Sequence, residues 1–283
     1  MQSDISVLLA TYFGDSPAFL NECLESLKHQ TLPPNEVILV ESGALTPPQR
    51  EVIEEQKKKI PLRQVIQEKN KGLGAALAEG LKHTRCTWVA RIDADDIAFT
   101  DRLERQAEHL IKNPSIDILG GSAVEIDHEG NIGKTRTMPR KHKEIAEKIW
   151  ACPVIHPSVT FRRKKILEAG NYSPNLPRGQ DYELWFRALH NGLKFENLAD
   201  PVVYYRFSQE NIRRQPPREC FIQGQIGWRG CRTLGLPLWQ HIAVWYPFLR
   251  SLLPLPLAEA AYRFSQRIDP RFAGSAPNHS GDK

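Results

Sequence analysis

Short apolar runs alternate with segments of helical periodicity along the first third of the chain. Residues 5–10 form a continuous apolar run, and in residues 18–30 the apolar side chains recur at helical spacing. Further strands are predicted at 36–40, 62–67 and 87–92, and further helices at 47–59 and 74–83. This order of elements predicts an α/β fold, in which a mostly parallel central sheet is flanked by helices.

The pattern changes after about residue 115. Residues 118–126 and 158–163 are predicted as strands of a mixed second half, and residues 181–192 as a helix that ends at a glycine. In an open sheet of this kind, ligands bind in the loops beyond the carboxyl ends of the strands. The first such loops begin at Thr11, Glu41, Lys69 and Asp93. We expect the functional site to lie among them.

Three carboxylates follow the strand predicted at 87–92. Asp93, Asp95 and Asp96 would repel one another unless they share a cation. Side chains at positions i and i+2 of an extended segment point the same way, so that Asp93 and Asp95 are predicted to face one metal ion. Mg²⁺ or Mn²⁺ is expected, because both ions prefer oxygen ligands.

Two alternative local structures would also account for these carboxylates. An EF-hand loop would extend to Glu104, but Ile97 and Ala98 stand where that loop needs a ligand and a glycine, which disfavours it. A solvated turn that leads into the next helix is the second alternative, because Thr100 or Asp101 is a suitable N-cap residue.

A glycine-containing turn precedes the helix predicted at 74–83. Residues 69–74 bring two lysines and two glycines to the start of this helix, where backbone N–H groups favour an anion. A dinucleotide-binding fingerprint would need a third glycine at Leu77, and a Walker A motif would need a Gly-Lys-Ser/Thr sequence that this segment lacks. The turn is therefore predicted either to contact a nucleotide or to serve only as the entry to a helix.

Three residues of the second half of the chain each have a structural and a functional interpretation. Asp181 lies at the start of a predicted helix, where it either caps the helix or acts as a general base on an acceptor hydroxyl. Trp185, one helical turn later, is either a core residue or a platform for an acceptor sugar ring. His156 is a structural histidine, a metal ligand or a contact to the acceptor.

Six ordered segments together resemble one known family more specifically than any single motif does. These segments are residues 6–15, 26–46, 68–83, 89–97, 156–163 and 179–189. They are similar to the family 2 glycosyltransferases of GT-A fold, in particular to the branch of amylovoran-biosynthesis transferases. The resemblance extends from residue 5 to about residue 212. It implies a GT-A domain over residues 1–215 and a helical C-terminal extension over residues 216–283.

The resemblance also implies a role for individual residues. Donor-binding positions would be Thr11 and Tyr12 at the nucleotide base, Glu41 at the base or ribose, Lys71 and Gly72 in the base pocket, and Asp93 at the ribose and diphosphate. Asp95 would bind the metal, Asp181 would be the catalytic base, and Gln180 would lie near the acceptor.

The chain departs from the family pattern at two places. Glu41-Ser42-Gly43-Ala44 stands where relatives commonly have Asp-Asp-Gly-Ser, so the carboxylate is one methylene longer. The pair Tyr205-Arg206 is followed by Phe207 and Ser208, whereas relatives often carry a histidine shortly after it. If the metal needs a histidine ligand, His156 is the remaining candidate in the motifs.

The function implied by the resemblance is that of an inverting, metal-dependent hexosyltransferase. It would move a sugar from a nucleotide donor, expected to be a UDP-sugar, to a growing surface polysaccharide or a lipid-linked oligosaccharide. Two alternatives use the same residues. One is a sugar nucleotidyltransferase-like metal enzyme, which would release pyrophosphate, and the other is a non-catalytic nucleotide-binding adaptor.

Composition indicates an ordinary soluble protein, with 41% apolar and 25% charged residues among 283. The five cysteines form no Cys-x-x-Cys pair and are expected to be reduced thiols. No basic segment followed by a long apolar run marks a secretory signal at the N-terminus. We therefore expect a cytoplasmic protein, either free or attached peripherally to the inner face of the cytoplasmic membrane.

The net positive charge of +5 comes from the C-terminal part of the chain. Residues 233–263 are rich in Leu, Trp and Tyr and are flanked by arginines, but four prolines and Arg250 disfavour a membrane-spanning helix. The segment is predicted either to lie on an anionic membrane surface or to pack on the catalytic domain. Nucleic-acid binding is not expected, because the arginines are interleaved with Leu and Pro.

Overall fold

A computed structural model describes residues 3–207 and 216–265. The strands of this part of the chain are β1 (Ile5–Thr11), β2 (Glu36–Ser42), β3 (Leu62–Gln67), β4 (Trp88–Arg91), β5 (Ile97–Ala98), β6 (Ile118–Ile126), β7 (Ile132–Arg136), β8 (Thr160–Arg162) and β9 (Phe195–Arg206). The helices of the first 190 residues are α1 (Pro17–Lys28), α2 (Pro47–Gln56), α3 (Leu73–His83), α4 (Arg102–Lys112), α5 (His142–Glu147), α6 (Arg163–Glu168) and α7 (Gln180–His190). The C-terminal helices are α8 (Pro217–Thr233), α9 (Leu238–Ala243), α10 (Tyr246–Ser251) and α11 (Leu255–Ser265).

All the strands belong to one sheet with the order β3-β2-β1-β4-β8-β6-β9-β5, and β7 pairs with β6. The four strands from β3 to β4 are parallel, as the alternation of strands and helices predicted. Beyond β4 the sheet is mixed, because β8 is antiparallel to both β4 and β6 while β6 and β9 are parallel. This confirms an α/β sheet flanked by helices with a mixed second half.

The parallel strands are buried on both faces, which explains their continuous apolar sequences. Side chains of β1 alternate between two cores: Leu8 packs with α3 and α7 on one face, and Val7 and Leu9 pack with α1 on the other. The sequence missed the short strand β5, because its two residues become a strand only through pairing with Val203 and Tyr204 of β9. This pairing places the segment after β4 against the end of β9.

The helical C-terminal extension packs against α7 through two glycines of α8. A Cβ atom at Gly230 would lie 2.2 Å from Phe186 of α7, and one at Gly227 would lie 2.8 Å from the Tyr182 hydroxyl oxygen. A Cβ atom at Gly224 would lie 2.5 Å from Trp245, which belongs to the extension itself. The absence of side chains at Gly227 and Gly230 lets α8 approach α7 closely. The predicted domain boundary at residue 215 lies outside the described residues.

Within residues 3–207 and 216–265, no helix has both the length and the apolar character needed to cross a bilayer. Residues 266–283 of the predicted extension lie outside the described residues.

Substituting Gly230 with alanine tests the close packing of α7 and α8. Alanine favours a helix interior by about 1 kcal/mol over glycine, so an unhindered site would be stabilised. The clash with Phe186 should reverse the sign and lower the free energy of unfolding by about 1–3 kcal/mol. Urea denaturation of Gly230→Ala and of Gln225→Ala, an exposed position on the same helix, measures the difference. A stabilised Gly230→Ala variant would contradict the packing.

Candidate active site

The three predicted carboxylates converge in the loop that follows β4. Asp93, Asp95 and Asp96 each offer an oxygen atom, and these oxygens lie within 4.8 Å of one another. Asp93 is half-buried and forms an ion pair with the fully buried Arg91. Burial and the charge of Asp93 raise the pKa of Asp95 to about 6. Such a cluster is stabilised by a cation that neutralises the repulsion.

Asp96, the third member of this cluster, has no exposed surface. Its Oδ1 atom accepts a hydrogen bond of 2.8 Å from the backbone N–H of Arg206, whereas its Oδ2 atom has no protein partner. Burial, followed by the charges of Asp93 and Asp95, raises the pKa of Asp96 well above its usual value. A buried carboxylate oxygen without a donor fits a hard divalent cation, since Mg²⁺ and Mn²⁺ prefer oxygen ligands.

The loop after β1 forms the opposite wall of the site. Asp15 Oδ2 accepts hydrogen bonds from the Thr11 hydroxyl (3.0 Å) and from the Tyr12 backbone N–H (3.1 Å). The buried Gln49 of α2 donates to the backbone carbonyls of Tyr12 and Asp15 at 2.8 and 2.9 Å. These bonds fix the loop while Tyr12 remains 40% exposed. An exposed aromatic ring on a fixed loop can stack against a nucleotide base.

A third wall comes from the turn before α3. The Asn70 side-chain oxygen accepts a hydrogen bond of 2.8 Å from the Gly72 N–H and one of 3.2 Å from the Ser42 hydroxyl. Gly72 has a φ of 90°, a conformation that favours glycine because it lacks a Cβ atom. The glycine is therefore required by the backbone of the turn.

These walls enclose one cleft of about 360 Å³. It is lined by Ala10, Thr11, Tyr12, Asp15, Ser42, Asn70, Gly72, Leu73, Ala76, Asp93, Ala94 and Asp95. Of the predicted donor and metal residues, Thr11, Tyr12, Gly72, Asp93 and Asp95 thus meet in a single place. The cleft lies at the carboxyl ends of β1, β2 and β4, as expected for this kind of sheet.

The predicted base Asp181 is in the first turn of α7, next to the start of α3. A Cβ atom at Gly74 would lie 3.3 Å from the Cβ atom of Gln180, so the two helix starts are in contact. Asp181 is half-buried and Gln180 is buried. Burial raises the pKa of the Asp181 carboxyl, while the positive charge of Arg91 opposes the rise. A raised pKa suits a carboxylate that must accept a proton.

Two predicted donor residues lie outside the cleft lining. Glu41 is opposite Thr11 in the sheet but has no exposed surface, and it is bound by Gln64 and by Arg50, whose Nη1 lies 3.5 Å from Oε2. Lys71 lines a neighbouring groove along β3 instead. Their sequence neighbours Ser42 and Asn70 line the cleft instead.

The structure corrects the predictions for His156 and Trp185. His156 is buried and its Nε2 atom hydrogen-bonds to the Tyr172 hydroxyl at 2.9 Å, so it is not part of the carboxylate cluster. Burial lowers its pKa well below the usual value. Trp185 is fully buried, with edge-to-face contacts to His156 and Phe195, and its ring cannot receive a sugar. His156 is therefore interpreted as a structural histidine and Trp185 as a core residue.

Sequence analysis missed three residues that shape the site. Asp15 and Asn70 had local signals, because Asp and Asn side chains in turns commonly bond to nearby backbone N–H groups. Arg206, which contacts the acidic loop, had none, since its partners in that loop lie 110 and 111 positions away. The EF-hand disfavoured by the sequence is not formed either, because Glu104 lies in α4 and accepts a hydrogen bond from the Thr31 hydroxyl.

Comparison with known proteins agrees with this geometry. Residues 6–170 match the family model described as Glycosyl transferase family 2. The chain is 35% identical over 211 residues to UDP-Gal:alpha-D-GlcNAc-diphosphoundecaprenol beta-1,3-galactosyltransferase of Escherichia coli, covering 74% of this chain and 76% of that protein. It is 33% identical over 211 residues to the amylovoran biosynthesis glycosyltransferase AmsE of Erwinia amylovora, covering 74% and 79%.

Solved structures share the fold at lower identity. TarS 1-349 of S. aureus in complex with UDP-GlcNAc matches with a TM-score of 0.67 and 19% identity, covering 87% of this chain and 72% of that one. The mannosyltransferase PcManGT of Pyrobaculum calidifontis, in complex with GDP-Man and Mn²⁺, matches with a TM-score of 0.59 and 17% identity, covering 97% and 76%.

The fold and the acidic cleft define a nucleotide-sugar-dependent glycosyltransferase of GT-A type. The chain belongs to glycosyltransferase family 2, which confirms the resemblance found in its sequence. Family membership decides against the nucleotidyltransferase and adaptor alternatives. The family model ends at residue 170, so the role of Asp181 rests on its position in the structure.

Metal binding by the carboxylate cluster should depend on pH. Because the pKa of Asp95 is raised to about 6, protons compete with a cation below that pH. The dissociation constant for Mn²⁺ should therefore rise about tenfold between pH 7 and pH 5. Titration followed by Mn²⁺ electron paramagnetic resonance measures it.

Two variants make this prediction specific. Asp95→Asn should abolish Mn²⁺ binding at both pH values. Glu104 is an acidic residue at the start of α4, and the Glu104→Gln variant should bind Mn²⁺ as the wild type does. Loss of Mn²⁺ binding in Glu104→Gln would instead support the EF-hand arrangement.

Proposed function

We propose that the protein is an inverting glycosyltransferase that moves a hexose from a UDP-sugar to a lipid-linked or growing surface saccharide. The observation that carries the proposal is the convergence of Tyr12, Gly72, Asp93 and Asp95 in one cleft, with Asp181 on the helix whose start contacts α3. The relatives named above act, by their names, on a diphosphoundecaprenol-linked sugar and in amylovoran biosynthesis. Their identity to this chain supports an acceptor of the same class.

The donor nucleotide would occupy the cleft with its base against the exposed ring of Tyr12. The Gly72 turn would lie along the nucleotide, where the missing side chain leaves the backbone accessible. Asp93 and Asp95 would hold Mg²⁺ or Mn²⁺, with Asp96 Oδ2 behind them. When bound, such an ion neutralises the negative charge of the diphosphate leaving group.

Asp181 would act as the general base. Its carboxylate would accept the proton of the acceptor hydroxyl as the oxygen attacks the anomeric carbon and the bond to the nucleoside diphosphate breaks. One displacement of this kind inverts the anomeric centre. Arg91 favours the ionised form of Asp181, because its buried positive charge opposes the rise in pKa caused by burial.

Replacing the proposed base separates catalysis from donor binding. Asp181→Asn should lower the rate of sugar transfer by about 10²–10⁴-fold and leave the dissociation constant for UDP with Mn²⁺ within about twofold of the wild type. Radiolabelled transfer from a panel of UDP-sugars and calorimetric titration of UDP measure the two quantities.

Glu183→Gln is the matched control for this variant. Glu183 lies on the same helix but is paired with Arg187 at 2.8 Å, so its removal should leave transfer nearly unchanged. Retained transfer in Asp181→Asn, or an equal loss in Glu183→Gln, would contradict the assignment of the base. A failure of the wild type to bind UDP would contradict the proposed donor.

We further propose that the C-terminal helices attach the enzyme to an anionic membrane surface, where a lipid-linked acceptor is located. Most exposed large apolar side chains of the described residues lie in this region: Phe221, Trp228, Leu238, Trp239, Ile242, Tyr246, Leu249, Leu252, Leu253 and Leu257. Arg229 and Arg232 are exposed beside them. Aromatic and aliphatic side chains next to arginines are typical of segments that lie in the membrane interface.

The apolar face of α9 provides the test of this attachment. Leu238 and Ile242 are 72% and 62% exposed, while Gln240 is buried and donates to the Glu147 carbonyl at 3.1 Å. The double variant Leu238→Ser/Ile242→Ser should lower binding to vesicles of phosphatidylglycerol and phosphatidylcholine by about tenfold, without unfolding. Co-sedimentation measures the bound fraction.

The control is a second pair of exposed isoleucines outside the extension. Ile111 and Ile132 are 65% and 72% exposed, so Ile111→Ser/Ile132→Ser removes a similar apolar surface. This variant should bind vesicles as the wild type does. Equal binding by all three proteins would show that α9 does not attach the enzyme to lipid.

A further inference from the structure

Arg206, the last residue of β9, joins three separate segments around the carboxylate cluster. Its Nε atom donates to the Asp95 carbonyl at 2.9 Å, and its Nη1 atom donates to the Asp127 carbonyl at 2.8 Å. Its Nη2 atom donates to Glu22 Oε2 at 2.7 Å. The guanidinium also lies 3.8 Å from the ring centroid of Phe19 on α1. The Arg206 side chain is only 3% exposed, so the guanidinium itself is shielded from water.

The same residue also contacts Asp96 through its backbone. The Arg206 N–H donates to Asp96 Oδ1 at 2.8 Å, which leaves Oδ2 as the free oxygen of that buried carboxylate. Arg206 thus fixes two consecutive residues of the acidic loop, one at its carbonyl and one at its carboxylate. Asp93 is held separately by its ion pair with Arg91, and its carbonyl accepts two longer contacts, one of 3.3 Å from the Asp96 N–H and one of 3.2 Å from the Cys23 thiol.

A loop of three adjacent carboxylates needs such an external contact. Their repulsion favours conformations in which the side chains separate, and a separated set cannot bind one cation with the same affinity. Removing a group that hydrogen-bonds to a metal ligand and fixes its orientation typically weakens metal binding by about 10- to 100-fold. Arg206 has the geometry of such a group, because it contacts the loop without being among the carboxylates that would bind the ion.

We propose that Arg206 is a positioning residue for the metal-binding loop of this enzyme. The inference rests on the proposed role of Asp93 and Asp95 as metal ligands. The planar guanidinium is required because it directs donors to three acceptors on the acidic loop, on α1 and on the segment after β6. A lysine ammonium retains the charge but cannot reach all three acceptors with the same planar fork.

Binding of Mn²⁺ alone tests the proposal without dependence on the donor or acceptor. Arg206→Met should raise the dissociation constant for Mn²⁺ about 10- to 100-fold, and Arg206→Lys should give an intermediate value. Glu22→Gln removes the carboxylate that orients the guanidinium, at a residue whose side chain is 48% exposed, and should weaken Mn²⁺ binding by a smaller factor. This last variant keeps the test decisive if Arg206→Met does not fold.

Arg136→Met is the matched control. Arg136 also stacks on aromatic rings of this region, 4.1 Å from Phe207 and 5.0 Å from Tyr205, and pairs with Glu125 at 2.5 Å. Its loss should lower thermal stability without changing the Mn²⁺ dissociation constant. A purely structural role for Arg206 would give the same result as this control.

The Mn²⁺ measurements distinguish the proposed role of Arg206 from the proposed metal site. Wild-type affinity for Mn²⁺ in both Arg206→Lys and Glu22→Gln would overturn the role of Arg206 and leave the metal site standing. No Mn²⁺ binding by the wild-type protein would overturn the metal site itself, together with the positioning role derived from it.

Discussion

The repulsion between three carboxylates at the end of β4 is the constraint on which the rest of the site depends. Buried carboxylates are costly unless charges or donors compensate them, and this structure supplies Arg91 to Asp93 and the Arg206 N–H to Asp96. The mixed half of the sheet makes this possible, because β9 brings Arg206 beside the parallel half. One Asp96 oxygen remains without a protein partner, and a divalent cation would complete the set.

A second constraint is the fixed position of α7, which carries the proposed base. Its start contacts α3 at Gly74, and its outer face contacts the glycines of α8. The C-terminal extension is consequently part of the support of the site, so packing on the catalytic domain and the proposed contact with a membrane are compatible. One face of the extension is closely packed on α7, while apolar side chains such as Leu238 and Leu249 remain exposed.

The elements and the site were predictable to different degrees. Strands such as β1 and β2 are continuous apolar runs buried on both faces, so their sequences indicate them directly. The acidic cluster was predictable because its three carboxylates lie within four residues of the chain, although these residues form a turn and not the extended segment that was expected. Trp185 and His156 were ambiguous, since a core aromatic residue and a ligand-binding one have the same local sequence. Only their burial in the folded chain distinguished the two.

The sequence by itself therefore determined the order of elements, the family and the loops in which the chemistry lies, because each of these depends on residues close together in the chain. The tertiary structure decided which side chains face the cleft. Glu41 and Ser42 are adjacent, yet the first is buried by Gln64 and Arg50 and the second lines the site. It also brought Arg206 to Glu22 across 184 positions, a contact that no local pattern encodes, because it depends on how β9 packs against α1.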